Sequence, residues 1–286
     1  MQLLSLETSE TGFLIIGEGL LGTAVVERLR ALGYTGEQVR HSWDASGPVD
    51  AMRALVATHP KGQPLQVIWS AGQSGMTTKR VDLDAHRATF EHWLRSTAEI
   101  LADRDWRLHY LSSAGALGAP GQAEWDRSAI YATIKSLEEE IATQVVDRTK
   151  IYRVTSVFGA ASRDSRVGII GVLVDNALQR RETALYARMT TLRNYVYDQD
   201  VATAIVHTAL VDHGEEPVLL AARRSTSMSE VVATVKEVVR KPVAVRYAPA
   251  ANDHDMIFDP QLISAHLPDR PLRAAVRRVY DRRLSA

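Results

Sequence analysis

The sequence predicts an α/β fold, a doubly wound parallel sheet followed by a smaller C-terminal lobe. Three observations predict it. Apolar runs of strand length alternate with longer amphipathic stretches from Phe13 to about Phe158. A glycine turn, Gly17-Glu18-Gly19-Leu20-Leu21-Gly22, separates the first run from the first helix-like stretch. After residue 160 the rhythm changes. This divides the chain into a sheet domain over 1–160 and a smaller lobe over 161–286, with the chain crossing back to the sheet.

Residues 13–16 form an apolar run long enough for one buried parallel strand. Residues 23–32 read as a helix with Ala24, Val25, Leu29 and Leu32 on one face. Residues 38–43 are a short second strand, 49–58 a helix, and 65–69 a strand ending in Ser70-Ala71-Gly72. Residues 84–104 make a long helix whose apolar positions include Phe90, Trp93 and Leu94, read as core. Residues 107–111 are a strand ending in Ser112-Ser113, 129–146 another long helix, and 150–155 a strand leading into Val157-Phe158-Gly159. In the lobe, helices are expected over 167–180, 200–210 and 229–239, with strands over 183–186, 194–197 and 218–221.

Composition narrows the function. The chain has 286 residues, 45% hydrophobic, enough for a sizeable core. Lys plus Arg and Asp plus Glu each number 34, so no net field attracts nucleic acid or a membrane surface. No cysteine is present, which excludes disulfides, zinc thiolate sites and cysteine nucleophiles. The nine His lack metal-ligand spacing, so no metal site is expected. The first eleven residues carry no basic segment and no long apolar run, and no stretch has the apolar length of a membrane span. A cytoplasmic protein is the expectation.

The glycine turn gains meaning from its context of strand, turn and helix. Gly17 permits the tight turn, and Gly19 lets the backbone approach a pyrophosphate at the helix N-terminus. Gly22 lets helix and strand pack closely. This is a Rossmann-type dinucleotide site. Gly17, Ala71-Gly72, Ser113 and Ser156 all stand at the carboxyl ends of predicted strands, where such sheets bind ligands.

Tyr131 and Lys135 lie one helical turn apart on the 129–146 helix, one step after the Ser113-ended strand. A tyrosine hydroxyl, with a pKa near ~10, is a poor base at neutral pH. A neighbouring ammonium favours the phenolate. Ser113 would hold a substrate oxygen while Tyr131 takes or gives the proton of an alcohol or ketone.

With these motifs in order, the chain resembles the extended short-chain dehydrogenase/reductases of the NAD-dependent epimerase/dehydratase family, which act on nucleotide sugars. Gly17–Gly22 resembles the family's cofactor turn, and Val67-Ile68-Trp69-Ser70-Ala71-Gly72 its cofactor-lining strand. Leu111-Ser112-Ser113-Ala114-Gly115-Ala116-Leu117-Gly118 resembles its serine segment, where the hydroxyl five residues before the closing glycine selects Ser113. Tyr131-Ala132-Thr133-Ile134-Lys135 matches the Tyr/Lys motif, and Arg153 to Gly159 resembles the strand after it. Leu192 to Val201 resembles a late motif whose arginine, here Arg193, can contact a nucleotide pyrophosphate.

The resemblance implies cofactor contacts at Gly17, Gly19, Leu20, Leu21, Gly22, Ala71, Gly72, Tyr131, Lys135 and Ser156. It implies substrate contacts at Ser113, Gly115 and Arg193, and a homodimer through the two long helices. There are departures. The Asp–Glu pair that follows the hydroxyl in family dehydratases is replaced by Ala114 and Gly115, which argues against a 4,6-dehydratase. The asparagine near the start of the helix after the Ala-Gly strand has Asp82 or Asp84 nearby, and that before the Val-Phe-Gly triplet is Ser156.

NAD enzymes usually offer an acid about twenty residues after the glycines. Here Arg40, His41 and Ser42 stand at that distance, which suits the 2′-phosphate of NADP. The alternative is that Asp44 contacts the ribose of NAD. The resulting expectation is an NADP- or NAD-dependent epimerase or 4-keto reductase of a nucleotide-linked sugar. The alternatives are a reductase of a small non-nucleotide carbonyl compound and a non-catalytic NADP sensor on the same fold.

Overall fold

The first apolar run folds as β1 (Gly12–Ile16), every residue buried, as a strand covered on both faces requires. Phe13 and Ile15 face one side, while Leu14 and Ile16 face the other. The computed structural model of the chain describes residues 11–40, 49–72, 82–117, 127–160, 167–211, 214–248 and 255–285. α1 (Leu20–Ala31) and β2 (Gly36–Val39) follow β1, and then α2 (Val49–Thr58), β3 (Leu65–Trp69) and α3 (Leu83–Ile100). Next come β4 (Trp106–Ser113), a 3₁₀ turn over Ala114–Leu117, α4 (Arg127–Val145) and β5 (Thr149–Val154).

The second half begins with β6 (Ser156–Phe158), α5 (Gly168–Leu178) and β7 (Thr183–Leu185). β8 (Leu192–Arg193), β9 (Tyr195–Tyr197), α6 (Asp198–Val211) and β10 (Val218–Leu220) follow. The chain closes with β11 (Thr226–Ser227), α7 (Met228–Val239), β12 (Val245–Tyr247) and α8 (Leu272–Leu284).

Six strands form one parallel sheet in the order β10-β5-β4-β3-β1-β2. The chain goes outward from β1 to β2, then returns to the other side of β1 to lay down β3. The strand order therefore reverses between β1 and β3, and a crevice opens at their carboxyl ends. α1 and α6 cover one face, with Leu29 and Ile205 packed on Phe13, Ile15 and Ile68. α2, α3 and α4 cover the other, with Phe90, Trp93 and Ile141 packed on Leu14, Ile16 and Trp69. A separate core joins α5, α7 and α8 through Ile170, Leu173, Val231, Val235, Val276 and Val279.

The structure differs from the sequence reading at several elements, among them β2, which spans Gly36–Val39 and not 38–43. β10 and α6 lie beyond residue 160 yet belong to the sheet layer. β8 and β11 are two-residue strands paired with each other, too short to leave a periodic signal. α8 has no counterpart in the sequence reading, because arginines surround its narrow apolar stripe of Ala275, Val276 and Val279. Phe90, Trp93 and Leu94 of α3 and Ile141 and Ala142 of α4 face the sheet, while Arg87 and Arg95 on α3 and Thr133, Ser136 and Glu140 on α4 face outward. Among the described residues no helix is long and apolar enough to cross a membrane.

Candidate active site

The glycine turn sits at the reversal point of the sheet. Gly17 adopts φ +112°, a conformation side chains rarely take, and its carbonyl accepts a bond from Gln38 Nε2 at 2.9 Å. A β-carbon on it would lie 2.7 Å from the Ala71 amide, so the ends of β1 and β3 abut. A β-carbon at Gly22 would lie 2.2 Å from the Gly17 carbonyl oxygen. At Gly19 it would meet nothing within 4 Å. Gly19 is also the N-cap of α1 and no side chain caps that helix end. An open backbone cradle in front of an uncapped helix N-terminus fits a pyrophosphate.

Ser113 ends β4, and its Oγ accepts the Gly115 amide at 3.1 Å. A β-carbon at Gly115 would lie 3.3 Å from Ser113 Oγ and 4.0 Å from Tyr131 Cδ1. Ser113 and the half-buried Tyr131 ring therefore both border Gly115. One turn along α4, Lys135 Nζ would lie 3.8 Å from a β-carbon at Gly72. Ser113, Gly115, Tyr131 and Lys135 thus meet at the carboxyl ends of β3 and β4.

Lys135 is only 5% exposed and rests on a buried polar group. Its Nζ donates to Tyr110 Oη at 2.9 Å and pairs with Glu138 Oε2 at 2.8 Å. Tyr110 donates to the same carboxylate oxygen. His86 Nε2 approaches the other oxygen at 3.0 Å. Burial pushes the Lys135 pKa down, but the charges of Glu138 and Tyr131 outweigh it and the net direction is up. For Glu138 burial pushes up, yet Lys135, His86 and Tyr110 bring its pKa down to about 2. Burial and then Glu138 raise Tyr110 well above the tyrosine range.

Glu139, the next residue, faces elsewhere. It receives Ser112 Oγ at 2.5 Å and Arg153 Nη2 at 2.7 Å.

Residues 13–220 match the NAD dependent epimerase/dehydratase family. The chain belongs to that family. It is an extended short-chain dehydrogenase/reductase. The UDP-glucose 4-epimerase of Thermus thermophilus, solved with NAD, is 19% identical and superposes with a TM-score of 0.74, covering 96% of this chain and 99% of that one. The UDP-glucose 4-epimerase of Thermotoga maritima, solved with UDP-glucose, is 17% identical, with a TM-score of 0.73 and coverages of 96% and 100%. MoeE5, solved with UDP-glucuronic acid and NAD, is 20% identical, with a TM-score of 0.75 and coverages of 96% and 100%. At these identities the likeness shows the fold. No curated protein matches the sequence.

The other residues expected from the family motifs are spread around this centre. Arg40 follows β2, its side chain 86% exposed, with Nε 3.9 Å from Glu18 of the glycine turn. His41 and Asp44 lie outside the described residues, as does Gly118 of the serine segment. Leu20 and Leu21 open α1 at the cradle. Ser156 begins β6, in register with Tyr195. Arg193 is half-buried on β8, in register with Thr226. Burial raises the Tyr195 pKa to about 12 and Arg193 opposes that rise, so the two lie within electrostatic reach.

Asp82, one of two acids near the family's asparagine position, is the N-cap of α3. Its Oδ1 accepts the amides of Asp84 and Ala85 at 3.1 and 3.0 Å. Sequence reading missed Tyr110, Glu138 and His86. The one available signal was the i, i+3 spacing of Lys135 and Glu138.

Proposed function

We propose that the protein is a dinucleotide-dependent epimerase or 4-keto reductase of a nucleotide-linked sugar, with Tyr131 as its acid/base group. The observation that carries this reading is the placement of Lys135 near Gly72, and of Ser113 and Tyr131 near Gly115, at the ends of β3 and β4, in the sheet whose β1 ends in the Gly17–Gly22 cradle. The nucleotide-sugar ligands of the structural neighbours support the substrate class.

Gly17, Gly19 and the start of α1 would hold the pyrophosphate, with Gly22 packing the helix close to the turn, and Ala71, Gly72 and Ser156 would line the rest of the dinucleotide. When bound, a nicotinamide supplies the acceptor and donor of hydride. Ser113 Oγ orients the sugar oxygen. Tyr131 removes the proton of a hydroxyl, or returns it to a ketone, and Lys135 stabilises the phenolate form between those events. Gly115 leaves room for the sugar beside Ser113. Arg193 contacts the substrate's phosphates from the lobe over 161–286. Ala114 and Gly115 provide no acid or base, so elimination of water is not expected.

A panel of nucleotide sugars and their 4-keto forms, run with NADP(H) and NAD(H), tests this reading. Tyr131→Phe should slow turnover by ~10²–10⁴-fold while dinucleotide binding survives. A variant as fast as the parent on a converted substrate would overturn the mechanism.

A further inference from the structure

Glu138 has no part in the roles assigned above, yet it lies 2.8 Å from Lys135 and is 1% exposed. A lone ammonium in such a place loses its proton unless a counter-charge is fixed beside it. Glu139 adds to that counter-charge less than Glu138 does, and Ser112 and Arg153 hold it. Three elements hold Glu138 where it is. Tyr110 from β4 and Lys135 from its own helix meet one oxygen, and His86 from α3 meets the other, so the carboxylate cannot turn. Trp69, Phe90 and Tyr110 stack edge to face at 5.6 and 5.7 Å, which seats α3 on the sheet one turn after His86. Tyr110 Oη also accepts from Lys135 at 2.9 Å, closing a ring of hydrogen bonds. Tyr110 and Glu138 thereby fix the ammonium 3.8 Å from where a β-carbon on Gly72 would stand.

We propose that Glu138, clamped by His86 and Tyr110, is the positioning residue that keeps Lys135 protonated and fixed beside Tyr131. This rests on the proposed partnership of Tyr131 and Lys135. The charged and titratable groups around the pair are His86 from α3, Tyr110 from β4, Tyr131 and Glu139 from α4, and Arg153 from β5, which is bound to Glu139. With Glu138 neutral, no uncommitted carboxylate in that set compensates the ammonium. Glu138→Gln should then act in the same direction as Lys135→Met.

The full-length protein with ¹³C/¹⁵N-labelled lysine provides the test. The sequence has six lysines, so the Lys135 side-chain signal is assigned by its loss in Lys135→Met. In the parent its titration midpoint should lie above that of an ordinary lysine. In Glu138→Gln it should fall by roughly two pH units or more, as for an uncompensated buried lysine. In Glu138→Asp, whose carboxylate stands farther off, the fall should be smaller. A Glu138→Gln midpoint equal to the parent's would overturn the proposal. If that variant does not fold, an Asp variant at or above the parent's midpoint would overturn it.

Tyrosine ionisation, followed by ultraviolet difference absorbance against Tyr131→Phe, gives the second measurement. Lys135→Met should raise the Tyr131 midpoint, and Glu138→Gln should raise it less, because that variant loses the neighbouring carboxylate charge as well. A rise in Lys135→Met alone would remove Glu138 from the site and leave the Tyr131–Lys135 pair standing. No rise in Lys135→Met would remove that pair, and the role of Glu138 with it.

Discussion

A β-carbon at Gly22 would collide with the Gly17 carbonyl, whereas one at Gly19 would enter open space. The two glycines thus serve different ends, packing in one case and ligand approach in the other. Gly22→Ala should destabilise the fold by about 1–3 kcal/mol, the usual cost of overpacking against fixed backbone. Gly19→Ala should leave the melting temperature of the free protein nearly unchanged and weaken dinucleotide binding severalfold. Thermal denaturation and a fluorescence titration of both variants would show it. A Gly19→Ala protein that binds as well as the parent would contradict the cradle. Single residues differed in legibility for a physical reason. Glycine spacing and the Tyr131–Lys135 turn are local patterns. Glu138, Glu139 and Glu140 read alike in sequence, although two of them are buried against partners from distant strands and helices.

At the scale of elements, α3 shows how one cap places a site residue. Asp82 accepts two otherwise unpaired amides of the first turn, and His86 lies on the next turn against Glu138. Asp82→Ala should cost about 1 kcal/mol of stability, and Asp82→Asn much less, since Asn caps nearly as well. Denaturant unfolding of the two variants reads the difference. If both lose equal stability, the capping role is wrong. Long periodic elements were legible: α2 and β3 fall over the residues expected. β8 and β11 were not, because strands of two residues are defined by the chain they pair with, and neither was β12, whose residues are half-buried or exposed. α8 escaped notice because its surface is arginine-rich, and those arginines are used in part to tie it to Glu27 of α1 and Asp175 of α5.

At the scale of the whole molecule, the sheet reversal sets β2 beside the glycine turn and thereby decides what surrounds the adenosine end of a dinucleotide. Ile16 is in register with Val39, so Arg40 emerges next to Gly17–Gly22. Where NAD enzymes usually place an acid, this chain places an exposed cation. Among the described residues it faces Glu18 at 3.9 Å, and an exposed pair of that length contributes little in water. Arg40 can therefore exchange Glu18 for a 2′-phosphate, to which a guanidinium binds through paired hydrogen bonds. A ligand that binds only the native state stabilises it by about 2.7 kcal/mol when present at ~100 times its dissociation constant. At equal concentration NADP⁺ should thus raise the melting temperature more than NAD⁺ does. Arg40→Ala should bring the two shifts together by lowering the NADP⁺ shift alone. The free variant should melt with the parent, because the Arg40 side chain is exposed. Equal shifts for the two cofactors in the parent, or a difference that survives in Arg40→Ala, would show that Arg40 does not select the cofactor.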